Sequence, residues 1–481
     1  FNAGRKAFVM TRIADAALLA GLLLLFIEAG TVRLDVLIPA GVAAPDTRGA
    51  LIAALLLVGA LGKSAQLPFQ TWLPTAMAGP TPVSALLHSA TMVAAGAVLL
   101  ARFAPIIAAN PGVAAATAIA GVATALFGAT CAIVQLDVKR LLAYSSISQI
   151  GFMVLAVGIG APAAAVAHFV VHAIFKSLLF MAAGMMSHAA HGDTAIVALR
   201  GARANAPLAF WTYTAGAASL AGLPLVTAGW WSKETILAAA FEAGPFGQAI
   251  WVAAILAATM TGVYAFRPVL AAAQRSPADG RERHPVERSV YCAVPLTLLA
   301  GLALVAGLLL GPILHLLGAG HPHAPRWVEY AGAGAALIGL AGAFVATYSR
   351  PAVRRIRSAR RLRAGMQMDA RYYAWFVRPY RRLVRRLTGS DGRFADAVSR
   401  PSDGQLADPV GAMTVEAGLW LARVVTSAFA PDRLDIAWMR SARGLGRVSR
   451  RARRRQTGRV RDYGLWLAIG LVTLLLLAWG T

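Results

Sequence analysis

Cysteine is nearly absent from this sequence, with two residues among 481. Both of them, Cys131 and Cys292, lie in apolar runs, where we expect them to be packing residues. Two cysteines cannot supply a disulfide framework or the four thiolates of an iron–sulfur cluster. The sequence also contains no phosphate-binding loop and no nucleophile elbow. We therefore expect no redox centre in this chain.

Charged residues are scarce as well, at 14% of the chain, whereas 58% of residues are hydrophobic and the mean hydropathy is +0.62. Soluble domains are usually about 45–50% apolar, and a bilayer-spanning helix needs roughly 20 mostly apolar residues. Candidate spans fall near 8–28, 50–73, 81–104, 112–135, 141–160, 162–189, 205–243, 246–271, 289–315, 327–349 and 463–480. The sequence thus predicts an all-α, polytopic membrane helix bundle with about eleven transmembrane helices, two of them interrupted.

Acidic residues number 21 against 46 Lys and Arg, which gives a formal net charge of +25. Such an excess also occurs in nucleic-acid-binding proteins, but here the basic residues lie in loops between apolar runs. If every span crosses once, the basic loops share one side, which the positive-inside rule makes cytoplasmic. These loops lie near 5–12, 139–140, 200–203, 275–288 and 350–363.

Residues 351–462 form a strongly basic region that mixes apolar and charged residues at helical spacing. The pattern predicts amphipathic helices on the cytoplasmic surface. Two interpretations remain open. The region is either a solvated segment attracted to anionic lipid or a helix that packs against a partner subunit, with Pro431 as an interruption.

A row of ionisable residues occupies the span near 162–189, where His168, His172 and Lys176 are spaced by four. This spacing places all three on one helix face. Insertion scales put a lysine at a membrane helix centre at roughly +2.5 to +3.5 kcal/mol, so such residues are functional candidates. Aligned proton-binding groups are what a proton pathway needs. Satisfied core residues and a zinc site are the alternatives, although no acidic partner stands between the histidines as in zincins.

Two further lysines lie beside helix breaks. Lys63 is followed by Pro68 in an apolar span, and Lys233 and Glu234 follow Pro224. Interrupted helices within a membrane are tolerated where protein or water satisfies the freed backbone groups. Both patterns predict hydrated ion sites and hint at an internal repeat. A lysine that extends to the membrane surface is the alternative for Lys63.

Two more polar residues complete the candidate set. His88 lies in the third span near Ser84, Ser89 and Thr91, where it is either structural or a link between Lys63 and the later row. Asp137 lies with two basic residues in the loop after the fourth span, where a solvated charge pair is the simple explanation.

Several of these segments resemble one known family. The sequences GKSAQLPFQTWLPTAMAGPTPVSALLHSATMVAAG (62–96), DVKRLLAYSSISQIGFM (137–153), HFVVHAIFKSLLFMAAG (168–184) and GWWSKETIL (229–237) resemble, in order, the L-subunit family of bacterial respiratory complex I. The tail at 456–479 is similar to its final helix and the basic region to its lateral helix. The central motifs also resemble Mrp-type antiporters and membrane-bound hydrogenases.

The resemblance implies roles for individual residues. Lys63 and Lys233 match the lysines of two broken helices, His88 matches a histidine beside the first, and Asp15 matches a family aspartate. His168, His172 and Lys176 match the connecting relay. The family pairs the first lysine with a glutamate on an earlier helix that has no equivalent here, so we expect that N-terminal helices precede this sequence.

The resemblance also implies an organisation and a function. Expected segments are 1–104 (rest of a first antiporter-like half), 105–275 (second half), 276–350 (additional helices), 351–462 (lateral region) and 463–481 (final helix). We expect proton translocation within NADH:quinone oxidoreductase in the bacterial inner membrane, beside a neighbouring antiporter-like subunit. Flavin mononucleotide (FMN), iron–sulfur clusters and quinone belong to partner subunits, and no nucleic acid is involved. A cation/proton antiporter and a non-transporting scaffold remain the alternatives.

Overall fold

The computed structural model describes residues 2–43, 46–224, 226–275, 290–320, 324–379 and 382. Within these ranges helices are the regular elements, with one isolated antiparallel bridge between Asp137 and Ala195. The α-helices are α1 (Asn2–Ala29), α2 (Leu34–Ala43), α3 (Asp46–Lys63), α4 (Trp72–Ala76), α5 (Thr81–Ser89), α6 (Ala95–Arg102), α7 (Ala104–Ala108), α8 (Pro111–Ile133), α9 (Val138–Gly158), α10 (Pro162–Ala189), α11 (Ala202–Asn205), α12 (Pro207–Ala221), α13 (Ala228–Glu242), α14 (Gly244–Ala273), α15 (Val290–Val305), α16 (Leu310–Leu316), α17 (Arg326–Tyr348), α18 (Arg350–Ser358), α19 (Arg360–Arg363) and α20 (Met368–Tyr372).

Seven segments of the described chain are long and apolar enough to cross a membrane. They are Lys6–Ala29, Pro111–Ile133, Val138–Gly158, Pro162–Ala189, Gly244–Ala273, Cys292–Leu316 and Arg326–Tyr348. Three more predicted spans, near 50–73, 81–104 and 205–243, are divided into shorter helices. The last predicted span, 463–480, lies outside the described residues. The predicted all-helical membrane bundle is therefore confirmed.

The sequence predicts two interrupted spans, and the structure adds a third between α5 and α6. At this break the Ser89 hydroxyl bonds to the Ala85 carbonyl at 2.5 Å and the Thr91 hydroxyl bonds to the Leu86 carbonyl at 2.9 Å. Side-chain hydroxyls thus take carbonyl groups that a continuing helix would use, which favours termination. No proline marks this break, so the sequence pattern does not reveal it.

Helix α9 lies at the centre of the bundle, and its apolar 18-residue stretch is buried along its whole length. Glycines let it approach α8 backbone to backbone. A Cβ atom added to Gly121 would lie 2.3 Å from the Leu155 nitrogen, and one added to Gly158 would lie 2.3 Å from the Ala118 nitrogen. Small residues at membrane helix interfaces allow this close packing. The close packing of α8 on α9 fixes the position of the backbone that carries the polar side chains of α9.

Residues Met10–Met366 form one compact unit that contains all the candidate site residues. A second unit combines the start of α1 with the described residues from Gln367 onwards, where Lys6 Nζ forms an ion pair with Asp369 at 2.6 Å. Of the predicted lateral region, the structure describes 351–379 and 382. This described part contains the short helices α18, α19 and α20, and the remainder of the region lies outside the described residues.

Candidate functional site

Three ionisable side chains, His168, His172 and Lys176, form a line along α10 and are fully buried. Pro162 occupies the first turn of this helix, where its missing N–H group costs nothing. Because the three residues are spaced by four, they lie on one face, and the two imidazole ring centres are 6.4 Å apart. We call these three residues the α10 row.

The Lys176 ammonium group is held near the start of α9. Its Nζ donates to the Leu142 carbonyl oxygen at 3.2 Å and to the Ser145 hydroxyl. Among the described residues no carboxylate forms an ion pair with it. A charge removed from water normally requires such a partner. The protonation state of Lys176 therefore depends on the uncharged dipoles around it.

His172 lies against the broken end of α5. Its Nδ1 is 3.0 Å from the carbonyl oxygen of Ser89, the last residue of α5. Because a carbonyl oxygen only accepts, a neutral His172 carries its proton on Nδ1 and keeps a lone pair on Nε2. That Nε2 is buried and has no hydrogen-bond partner within the described ranges. It is available to accept a proton.

His168 contacts a different broken segment at the other end of the α10 row. Its Nδ1 is 2.9 Å from the Ser232 hydroxyl oxygen, which itself donates to the Gly229 carbonyl at 3.3 Å. A hydroxyl has one hydrogen, so Ser232 accepts the Nδ1 proton of His168. Nε2 is again buried and unpartnered among the residues described. Both histidines thus present a proton-accepting nitrogen when neutral.

Lys233 follows Ser232 and reaches back across the break between α12 and α13. Its Nζ donates to the Leu220 carbonyl oxygen in the last turn of α12. The C-terminal end of a helix carries partial negative charge, which stabilises a cation there. Gly222 ends α12 with a φ of +75°, a conformation that glycine adopts at little cost, and Pro224 follows in the connecting turn.

Glu234 points to another side of α13. Adjacent helical residues are separated by about 100° around the axis, so Glu234 lies against α17 rather than against the α10 row. A Cβ atom added to Gly332 would be 2.2 Å from Glu234 Oε2, and Oε1 has no hydrogen-bond partner in the described part of the chain. The structure brings Lys233 to the α10 row and leaves Glu234 apart from it.

His88 lies in the last turn of α5 and is buried. Its ring centre is 5.8 Å from that of Phe180, which lies one turn beyond Lys176 on α10. The next residue, Ser89, contacts His172. The broken end of α5 therefore brings His88 close to the α10 row, and its role as a link between Lys63 and that row stays a prediction.

Lys63 is the last residue of α3 and stands apart from this cluster. Its Nζ forms an ion pair with Asp15 Oδ1 at 2.6 Å, and Asp15 also lies 3.5 Å from an Arg12 nitrogen. The Lys63 side chain is 34% exposed, and Pro68 lies in the non-helical segment that follows. No hydrogen bond between described residues joins Lys63 to His88.

Asp137 has a structural position at the start of α9. It accepts from the Arg140 backbone N–H at 2.8 Å as the N-cap and from the Thr194 hydroxyl. Lys139 donates to the Gly79 carbonyl at 2.7 Å. These bonds hold the ends of helices together, and none of the described contacts of Asp137 reaches the α10 row.

Sequence reasoning overlooks the polar face of α9. Ser145 contacts Lys176, and Gln149 Nε2 donates to the Tyr264 hydroxyl at 3.2 Å in a fully buried cluster. The available signal is four polar residues among the five positions 145–149 of an otherwise apolar span. Their partners lie on other helices, which periodicity cannot identify.

A zinc site was the alternative for the two histidines of the α10 row. Structural zinc takes four protein ligands and catalytic zinc three. In the described part of the chain, no third His, Cys, Asp or Glu joins His168 and His172 in a group of possible ligands. The arrangement instead suits groups that hold and pass single protons.

Comparison with known proteins shows which family this chain is similar to. A family model described as NADH:quinone oxidoreductase/Mrp antiporter, transmembrane, matches residues 1–261, more than half of the chain. Subunit L of NADH-quinone oxidoreductase from Pseudomonas aeruginosa is 40% identical over 316 residues, which cover 65% of this chain and 51% of that protein. The Escherichia coli subunit L is 42% identical over 318 residues, with the same two shares. The chain spans about half the length of the curated relatives it matches.

Solved structures give the same grouping. The Mrp complex from Dietzia sp. matches with a TM-score of 0.63 and 30% identity, over 89% of this chain and 46% of that one. Respiratory complex I from Thermus thermophilus with bound aureothin matches with a TM-score of 0.53 and 29% identity, over 64% and 68%. The site residues from Lys63 to Glu234 all lie within the segment that the family model covers. This chain belongs to the NADH:quinone oxidoreductase/Mrp antiporter transmembrane family.

Proposed function

We propose that this chain moves protons through a bilayer as a membrane-arm subunit of an NADH:quinone oxidoreductase. The observation that carries the proposal is the contact of the α10 row with two broken helices, at Ser89 of α5 and at Ser232 of α13. Helix breaks within a membrane expose backbone groups that hold ions. The relatives named subunit L, at 40–42% identity, favour the redox-driven complex.

The proposed pathway runs from His88 through the α10 row to Lys233. Each of these groups is buried, and the α10 row and Lys233 are held by hydroxyl or carbonyl oxygens rather than by a described carboxylate. Neutral partners do not fix a lysine in its charged form as a carboxylate does. A proton can therefore pass along the row when the surrounding charges change.

Lys63 has a separate part in this proposal. Its ion pair with Asp15 holds the charge at the end of α3, outside hydrogen-bond contact with the described relay residues. We propose that loss of this pair presents a charge to His88 and starts transfer along the row. Glu234, near α17, is proposed to receive the proton from Lys233 by way of water.

Energy for transfer comes, in this proposal, from quinone reduction elsewhere in the complex. Partner subunits would hold FMN, the iron–sulfur clusters and the quinone, while this chain contributes proton-binding side chains alone. The neighbouring antiporter-like subunit is the proposed contact of the lateral region, and the bacterial inner membrane is the proposed location.

A cation/proton antiporter is the second candidate function. The structural likeness to the Dietzia Mrp complex covers 89% of this chain, whereas the likeness to the Thermus complex I covers 64%. An antiporter would use the same buried lysines without a redox partner. Sodium dependence and NADH dependence distinguish the two.

The test replaces Lys176 with alanine in the complete protein and measures NADH-driven proton uptake into inverted membrane vesicles. Because Lys176 is the only lysine of the α10 row, Lys176→Ala is expected to reduce uptake by at least tenfold, a barrier change of about 1.4 kcal/mol. The complex should still assemble, since no described carboxylate loses a partner.

Thr130→Ala is the matched control, because the one described hydrogen bond of the Thr130 hydroxyl goes to the Leu126 carbonyl of its own helix at 2.8 Å. Normal uptake in Lys176→Ala vesicles that contain assembled complex would contradict the relay. Sodium/proton exchange that depends on Lys176 but not on NADH would support the antiporter instead.

A further inference from the structure

A partly open cleft lies where several helices end. Two arginines, Arg200 and Arg267, line it together with an apolar wall that includes Ala271, Val353 and Ile356. Neither arginine belongs to the proposed proton pathway. The cleft thus combines positive charge with apolar surface at a place that the proposed function leaves unused.

Backbone hydrogen bonds show that the cleft belongs to one end of the bundle. The Ile196 N–H donates to the Leu136 carbonyl at 2.8 Å, and the Gly201 N–H donates to the Gln274 carbonyl at 2.8 Å. These bonds join the segments that follow α8, α10 and α14. All three segments fall on the side that the distribution of basic residues assigns to the cytoplasm.

Neither arginine has an anionic partner among the described residues. Arg200 Nε is buried without a hydrogen-bond partner there. Arg267 is 7% exposed and donates to the Ile133 and Gln135 carbonyl oxygens, which cap the end of α8. No carboxylate in the described ranges forms an ion pair with either arginine. Buried cations normally have an anionic partner, and the described part of the chain supplies none to this cleft.

The outer wall of the cleft comes from α18, whose sequence RPAVRRIRS is amphipathic. Val353 and Ile356 face the cleft, while Arg354 and Arg355 are exposed. Basic amphipathic helices of this kind lie in the headgroup region of a membrane. The cleft is therefore at the depth where lipid phosphates lie.

We propose that this cleft binds one anionic phospholipid, with its phosphate between Arg200 and Arg267 and its acyl chains against the apolar wall. Arginine suits a phosphate because its planar donors match two oxygens at once. Basic pockets between membrane helices on the cytoplasmic side are known to hold anionic lipid headgroups. Free phosphate would use the same arginines but gains nothing from the apolar wall.

The test measures binding of spin-labelled phosphatidylglycerol to the complete purified protein in phosphatidylcholine vesicles. Arg200→Gln is expected to lower the affinity about tenfold, since it removes charge-assisted hydrogen bonds. Labelled phosphatidylcholine should show no difference between the variant and the original protein. Arg267 is left unchanged in this test because it also caps α8.

Arg203→Gln is the control, because Arg203 carries the same charge a few residues away but stacks on the Trp211 ring at 5.8 Å outside the cleft. An equal loss in both variants would show general surface attraction and overturn the site. Displacement of the lipid by inorganic phosphate at similar concentration would overturn the lipid as occupant. Unchanged affinity in Arg200→Gln would overturn the proposal as a whole.

Discussion

Two lysine-bearing segments share a sequence pattern but differ in structure. In the segment 46–76, Lys63 ends α3 before the break, and its ammonium pairs with the Asp15 carboxylate at 2.6 Å. In the segment 207–242, Lys233 follows the break and reaches back to the Leu220 carbonyl of α12. The first lysine is partly exposed, whereas the second is 3% exposed.

This difference separates two kinds of charge. An ion pair holds the Lys63 ammonium beside the Asp15 carboxylate. The described partners of Lys233 are the Leu220 carbonyl at a helix end and the face of the Phe152 ring, 5.9 Å away. These neutral groups stabilise a cation by less than a carboxylate does. The Gly/Pro break plus lysine that both segments share thus produces one fixed charge and one that can change. The experiments below test this contrast, beginning with the largest expected effect.

The packing of each break can be compared by adding one methyl group. A Cβ atom at Gly229 would lie 1.7 Å from the Ser219 carbonyl oxygen, whereas one at Gly62 would lie 2.0 Å from the Ala14 Cβ atom. Gly229→Ala is expected to lower the free energy of unfolding by about 3 kcal/mol or more, because backbone must move. Gly62→Ala should lower the free energy of unfolding by less than Gly229→Ala does. Thermal unfolding in detergent measures both.

A second substitution sharpens this comparison. Ala14→Gly removes the atom that opposes the new methyl group at Gly62, so the double variant should regain most of the lost stability. No side-chain change can relieve Gly229→Ala, because the obstructing atom belongs to the backbone. Equal costs for the two single variants would show that the two breaks are packed alike.

Removing each lysine charge should change stability in opposite directions. Lys63→Met removes the cation 2.6 Å from the Asp15 carboxylate and leaves Arg12, at 3.5 Å, as its described ion-pair partner. This change is expected to lower the free energy of unfolding by about 1 kcal/mol, since the pair is partly exposed. Lys233→Met replaces a buried cation that has no described carboxylate partner and is expected to raise stability by about 1 kcal/mol or more. The melting temperatures of the two variants and of the original protein, measured in the same detergent, give the sign of each stability change. Shifts of the same sign would end the distinction between a fixed and a changeable charge.

The sequence predicts local geometry here better than it predicts contacts. The alignment of His168, His172 and Lys176 follows from the helical period within one element, and the structure shows it. The breaks near Pro68 and Pro224 follow from backbone chemistry that proline and glycine impose. The break after Ser89 could not be predicted, because it depends on hydroxyl bonds to nearby carbonyls.

Partners across helices lie beyond what periodicity contains. Nothing in the sequence around Lys233 indicates that the Leu220 carbonyl binds it, because that contact depends on how α12 and α13 fold back. The position of Glu234 shows the same limit. Sequence adjacency suggests that it acts with Lys233, yet the helix turns its carboxylate toward Gly332 of α17. Its proposed role as proton acceptor therefore remains a prediction.

The smallest expected effect concerns the contact between the α10 row and the second break. Ser232→Ala removes the hydroxyl that accepts from His168 Nδ1. It is expected to lower the free energy of unfolding by about 1 kcal/mol, because a buried nitrogen loses its partner. Proton uptake into vesicles should fall by severalfold but not cease, since Lys233 itself remains. Thr130→Ala again serves as the control, here for loss of a half-buried hydroxyl that bonds within its own helix. If both variants pump alike, His168 does not pass protons to the segment that carries Lys233. The changeable charge must then be reached by another route, for which the buried Gln149–Tyr264 cluster is a polar candidate on α9.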